Sequence, residues 1–262
     1  MRKLPPMGAI EHSLRSTFDN LGFAFHVSWP WMLAILPFNV IGNTYVTLHQ
    51  SSGPQNFGVG VFLVSLGIGV LGMIAFSSIA VLWHRYILLD EVPQGLARLR
   101  LDSTVWRYIG NIILIMLMGI GAAIPLVIVF AILAAALAKF AVIPMVLFGS
   151  VYFLVLMNYA FRLSIKLPAI ALGRHDYLFR TALTDTAGNF WPFLGFMLLQ
   201  LLIAGLIAGV LGLMAYAIGK SDSAVFIAVM VAIDLVVNWL MGIWGITILT
   251  SFYGYFVEGR KF

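Results

Sequence analysis

The chain has 262 residues, of which 62% are hydrophobic and 10% charged, with a mean hydropathy of +1.02. A water-soluble globule is excluded, because about a quarter of its residues would carry charge. The net charge of +5 and pI near 9.6 arise from loops flanking apolar runs, which points to anionic lipid headgroups and away from nucleic acid. The absence of cysteine removes disulfides, thiolate metal sites, iron–sulfur clusters and cysteine nucleophiles.

A polar lead carries Arg2, Lys3 and Arg15, with Ile10, Leu14, Phe18 and Leu21 at helical spacing. The first long apolar run covers 22–41; Trp29-Pro30-Trp31 is expected to open its span with the proline in the first helical turn, and Pro37 follows. Its length suits a helix across a hydrocarbon core about 30 Å thick, and no A-x-A site follows it, so it is expected to stay as a span. Asn43 to Gln55 contains neither lysine nor arginine. The second span, 58–83, holds Gly67, Gly69 and Gly72. The connector that follows bears Arg85, Arg98, Arg100 and Arg107, with Leu96, Leu99, Val105 and Trp106 as an irregular apolar stripe, and closes on Gly110-Asn111.

A third span at 109–137 contains Pro125, and a fourth covers 141–161, with Lys139 between them. The next connector carries Arg162, Lys166, Arg174 and Arg180, a stripe of Leu178, Ala182, Leu183 and Ala187, and Gly188-Asn189 at its end. The fifth span, 190–218, opens with Trp191-Pro192-Phe193 and holds Gln200 and the G-x-x-x-G pair Gly205 and Gly209. Lys220 precedes the sixth span, 224–256, which contains Asp234, Asn238, Gly242 and Gly245 before the basic tail of Arg260 and Lys261.

Thirteen of the fifteen basic residues therefore fall on one side of the ladder. The positive-inside bias places that side, and both termini, in the cytoplasm. The fold expected is all-α: a polytopic bundle of six transmembrane helices in one domain, with short cytoplasmic amphipathic helices. The two basic connectors resemble each other, running from Arg85 to Gly110-Asn111 and from Arg162 to Gly188-Asn189. With the amino-terminal lead they suggest a unit of interfacial helix plus helical hairpin, used three times. In that unit the apolar stripe lies in lipid and the basic side faces phosphates.

Function is less legible. Lipid tails give helices no hydrophobic reason to associate, so Gly67, Gly205, Gly209 and Gly242 are candidates for close helix packing. Asp234 stands near mid-membrane, where a carboxylate is costly and should face the bundle interior. With Asn238 one turn away and Gln200 at a similar expected depth, it defines a candidate ligand or ion pocket; hydrogen bonding between helices is the simpler alternative. Arg85, Arg98, Arg100, Arg162, Lys166, Arg174 and Arg180 are candidate headgroup contacts. Histidines form no i,i+4 ligand pair, and no nucleophile motif or phosphate-binding loop occurs. No catalytic residue, metal or cofactor is assigned, and oligomeric state is left open. A non-catalytic role in membrane organisation, lipid interaction or partner assembly ranks first. A small transporter or channel using Asp234 comes second, and an intramembrane enzyme third.

The segments Arg162-Leu-Ser-Ile-Lys166, Leu167-Pro168 through Gly173-Arg174, and Gly188-Asn189-Phe-Trp191, with the earlier Trp83 to Leu89, resemble the cytoplasmic segments of small bacterial six-span inner-membrane proteins of the YciC type. They are also similar to the membrane domain fused to some glycerophosphodiester phosphodiesterases. The resemblance covers about 60 residues and implies a bacterial inner membrane. No part of the phosphodiesterase catalytic domain lies in the sequence, so that activity is not implied.

Overall fold

The computed structural model describes residues 2–50, 58–137, 142–218 and 224–262. Among these residues the chain is helical and without strands: α1 Pro6–Asp19, α2 Leu21–Gln50, α3 Val59–Leu89, α4 Ser103–Leu137, α5 Val142–Ser164, α6 Lys166–Ala171, α7 Phe179–Asp185, α8 Phe190–Ile218 and α9 Ala224–Phe256, with a 3-10 turn at Gly95–Arg98. Six helices are long and apolar enough to cross a membrane, because backbone groups in lipid must be satisfied within their own segment. The chain is a multi-pass membrane protein. Lys139, Lys220 and the side chain of His49 lie outside the described residues.

Helix α3 packs against α2, α4, α6 and α9; α5 meets α4, α7 and α8; and α1 lies against α8 and α9. The core is concentrated where the basic connectors gather. One cluster joins Phe23, Val27, Trp83, Val105, Tyr108, Ile170 and Ile246, and a second joins Leu4, Ile10, Ile165, Phe193, Phe196, Trp244 and Phe252. Toward the other end the same helices turn Leu36, Phe62, Val127, Leu147, Leu206 and Val236 outward. That face is suited to acyl chains.

Several sequence expectations shift in register. Pro30 lies inside α2 with Pro37, so the helix continues through it and the His26 carbonyl loses its usual donor. Pro192 does fall in the first turn of α8, where its missing N–H is harmless. Helix α1 buries Ala9, Ile10, Ser13 and Thr17, while Phe18 of the predicted stripe is 56% exposed. The reason is polar: the Trp244 indole donates to the Ser13 hydroxyl at 2.9 Å, which turns α1 onto the bundle. The connector after α3 forms only the short 3-10 turn, and Val105 and Trp106 already belong to α4.

The two Gly-Asn pairs are not equivalent. Gly110 and Asn111 sit inside α4, whereas Gly188, at φ +71°, and Asn189 immediately precede α8. The position before α4 that matches Asn189 is Asp102, whose carboxylate accepts the N–H groups of Thr104 and Val105, both at 3.2 Å. It is an N-cap that satisfies donors left over at a helix start.

Nor do the glycines mark tight packing. A Cβ added at Gly67, Gly205 or Gly209 would meet nothing within 4 Å, and one at Gly242 would make ordinary contact with Phe76 at 3.8 Å. At Gly67, Gly205 and Gly209 the small surfaces have no close partner among the described residues, while Gly242 faces α3 through Phe76. Close approach occurs instead at Gly42, which faces Val64 and Ile68.

Candidate functional site

The basic end is held by cations that bind carbonyls and caps. Arg85 takes Glu91 through two bonds, at 2.6 and 2.7 Å, and also donates to the Ala171 carbonyl at 2.9 Å. Arg162 is buried and donates to the Thr186 hydroxyl and the Leu183 carbonyl, at 2.9 and 3.0 Å. Arg260 reaches the carbonyls of Ile87 and Leu88 near the end of α3, at 3.3 and 3.0 Å. A carbonyl-rich helix end favours a cation, so these contacts stabilise the bundle where α3 stops. Lys3 donates to the Gly188 carbonyl at 2.6 Å, and Arg2 to the Arg260 carbonyl at 2.9 Å. Asn189, fully buried, accepts from the Leu4 N–H at 2.8 Å and donates to the Arg2 carbonyl at 2.9 Å.

Several of the headgroup candidates take part in these bonds. Arg85, Arg100 and Arg162 are engaged within the protein, Arg100 with Asp102 at 2.6 Å. Arg100 and the capping amides hold the Asp102 carboxyl below the usual carboxylate range. Arg98 lies over the Trp29 ring at 5.7 Å, and Arg180 is exposed.

Lys166 and Arg174 belong to a different arrangement. Helix α5 ends at Ser164 and α6 runs from Lys166 to Ala171; the chain then turns at Gly173, whose φ of +78° suits a residue without a Cβ. The Arg174 N–H bonds to the Ala169 carbonyl and the Gly173 N–H to the Ile170 carbonyl, both at 2.9 Å, the paired bonds of a glycine-terminated helix. This turn brings Arg174 and His175 back toward α4. Together Arg107, Asn111, Lys166, Ile170, Arg174 and His175 line a cleft of about 360 Å³. Arg107 donates to His175 Nε2 at 2.6 Å, Lys166 Nζ stands 4.0 Å from the centre of the Phe179 ring, and Arg174 donates to the Tyr253 hydroxyl at 2.8 Å. That last bond raises the Arg174 pKa above its ordinary value. No acidic side chain lines the cleft, although Asp176 and Glu258 act on Arg174 from outside it. Arg107, Asn111 and His175 are absent from the sequence-based candidates; a cation one turn before a polar residue at a span start was the available signal for the first two.

A buried polar chain ties α3, α4 and α9 together. The Thr250 hydroxyl lies 3.0 Å from the Ile246 carbonyl and 2.8 Å from His84 Nδ1. His84 Nε2 lies 3.1 Å from the Tyr108 hydroxyl, so each ring nitrogen has a hydroxyl partner that can either donate or accept. All three side chains are sealed from solvent. The chain satisfies its own polar atoms and is a structural tie.

The pocket expected around Asp234 is assembled differently. Asp234 is exposed and lines a cavity of about 440 Å³ with Leu211, Gly212, Ala215, Met230, Val231 and Leu235. Asn238, also exposed, donates to the Asp234 backbone carbonyl at 2.8 Å, a bond within one helix. Gln200 does not line the cavity. Asp234 lies level with Leu211 and Gly212 of α8, eleven or twelve residues beyond Gln200, which places Gln200 roughly 16 Å away along the helix. Counting each span from its own end overlooked that offset. Among the described residues no three His, Cys, Asp or Glu side chains gather as a metal site would require. No family model, no curated protein and no solved structure matches the chain.

Proposed function

We propose that this multi-pass protein is non-catalytic and works by binding anionic lipid at its basic end, that this end faces the cytoplasm, and that the membrane is a bacterial inner membrane. The observation that carries the reading is the level at which charge and indole rings coincide. Trp29, Trp106 and Trp191 are 37%, 53% and 75% exposed, and all lie within the first three turns of α2, α4 and α8. Exposed tryptophans favour the headgroup region. At the same level Arg98 stacks on Trp29 and Arg107 adjoins Trp106, while Arg180 is free to reach outward from α7. A cation near an anionic membrane surface contributes about 1 kcal/mol, so a few of them set a lipid preference without chemistry.

The test is native mass spectrometry of the detergent-solubilised protein titrated with phosphatidylglycerol or phosphatidylcholine. Several-fold tighter retention of phosphatidylglycerol is expected. Equal retention of the two lipids would remove the reading. The transport alternative rests on the cavity beside Asp234, whose remaining lining is apolar and offers no second polar group to pass an ion onward.

A further inference from the structure

The cleft between α4 and α6 is a more specific object than a basic surface. Ion pairs among the described residues join Arg85 to Glu91, Arg100 to Asp102 and Arg260 to Glu258. Arg107, Lys166 and Arg174 instead have an imidazole, a phenyl ring and a phenol as partners. These partners fix the three cations in place without cancelling their charge. An imidazole, a phenyl ring and a phenol bring no negative charge to the cleft, so the cations are left for a ligand to neutralise. A space of about 360 Å³ with cations on several sides matches an anion whose oxygens point in several directions.

Asn111 adds a second requirement. Its amide nitrogen donates to the Arg107 carbonyl at 2.8 Å, which leaves Oδ1 buried and without a donor. An orphaned acceptor is costly, and a bare anion cannot supply a proton to it. A ligand with a hydroxyl beside its phosphate can.

We infer that the cleft is a single binding site for a hydroxyl-bearing phosphodiester or phosphomonoester, its phosphate held by Arg107, Lys166 and Arg174 and its hydroxyl donating to Asn111. The inference rests on the anionic-lipid reading for its location at the tryptophan level, and it adds stoichiometry, residues and ligand chemistry. Two sources share that chemistry: a lipid headgroup such as phosphatidylglycerol and a soluble glycerol phosphate.

The experiment uses the full chain in detergent, with native mass spectrometry resolving the first bound lipid. Phosphatidylglycerol is compared with phosphatidylmethanol, which has the same charge and no headgroup hydroxyl. Arg107→Gln with Lys166→Gln is expected to weaken the first phosphatidylglycerol by about tenfold or more, since charge-assisted hydrogen bonds are the strong ones. Lys261→Gln, an exposed charge outside the cleft, should leave it within about twofold. Wild-type protein should prefer phosphatidylglycerol over phosphatidylmethanol by several-fold, and Asn111→Leu should erase that preference. If the double variant loses thermal stability, Lys166→Gln alone is the readout, with at least a threefold loss expected. Displacement of the lipid by millimolar glycerol 3-phosphate assigns the site to the soluble ligand; retention of the lipid assigns it to the headgroup. Unchanged affinity in the cleft variants, with the preference over phosphatidylcholine intact, overturns this site and leaves the broader reading standing. Loss of any preference over phosphatidylcholine in the wild type removes both.

Discussion

The two halves of the bundle use the same kind of helix for different ends. At the basic end α2, α3, α4, α8 and α9 deliver Val27, Trp83, Tyr108, Phe196 and Phe252 into closed cores. Toward the far end no residue in the most apolar stretch of α4 is buried. Hydrophobicity does not separate the halves; polar residues do. Ser13, Thr17, Ser78, His84, Asn158, Arg162, Thr186, Asn189 and Thr250 are all buried, and all lie at the basic end. Near water, burying an apolar side chain stabilises by about 1.5 to 3 kcal/mol, while in lipid that drive is missing. A tight core can therefore form at the interface, and hydrogen bonds specify it.

That contrast predicts unequal responses to the same insult. Trp83→Ala, in the packed half, should cost about 3 to 5 kcal/mol, read as loss of thermal stability in detergent. Leu206→Ala, at a position 63% exposed in the far half, should be nearly neutral in the same assay. Equal losses would erase the distinction. Asn189→Ala leaves the buried Leu4 N–H without its acceptor and should cost about 1 to 3 kcal/mol. Asn238→Ala, which removes only a bond to its own helix, should be silent.

Asp102→Ala removes the α4 cap and should cost about 1 kcal/mol at neutral pH. Because Arg100 and the cap amides lower the folded pKa, this contribution is complete above the unfolded value of about 4 and disappears as pH falls through the folded one. The stability gap between wild type and variant should accordingly close under acid; a gap independent of pH would mean the carboxylate charge is irrelevant. Gly205→Ala and Gly209→Ala, where space is open, should leave stability unchanged or slightly raised, since Ala suits a helix interior better than Gly. A loss beyond about 0.5 kcal/mol would reveal a contact that the isolated chain lacks.

Much of the architecture was legible because the requirement for about 20 apolar residues is local. The spans at 58–83 and 190–218 fall within or on α3 and α8, Val59–Leu89 and Phe190–Ile218. What escaped depends on partners distant in sequence. The face of α1 is chosen by Trp244, 231 residues away, and no periodicity within α1 contains that information. The symmetry of Gly110-Asn111 with Gly188-Asn189 was misleading because α4 begins earlier, at a cap that Asp102 supplies. Lys166 and Arg174 were identifiable as basic residues, but their convergence with Arg107 requires the reversal at Gly173. Arg85 and Arg162 carry the same formal charge and are spent on the fold.

The contact of Arg260 with the carbonyls of Ile87 and Leu88 also sets an order of events during synthesis. The end of α3 leaves the ribosome more than 170 residues before Arg260 exists, and Arg2, which needs the Arg260 carbonyl, waits longer than any other residue bonded to it. All six spans are thus made before the clasp can shut. The bonds that tie Arg260 to the end of α3 and to Arg2 are therefore the last of the basic end to form, after the helices they join have been made.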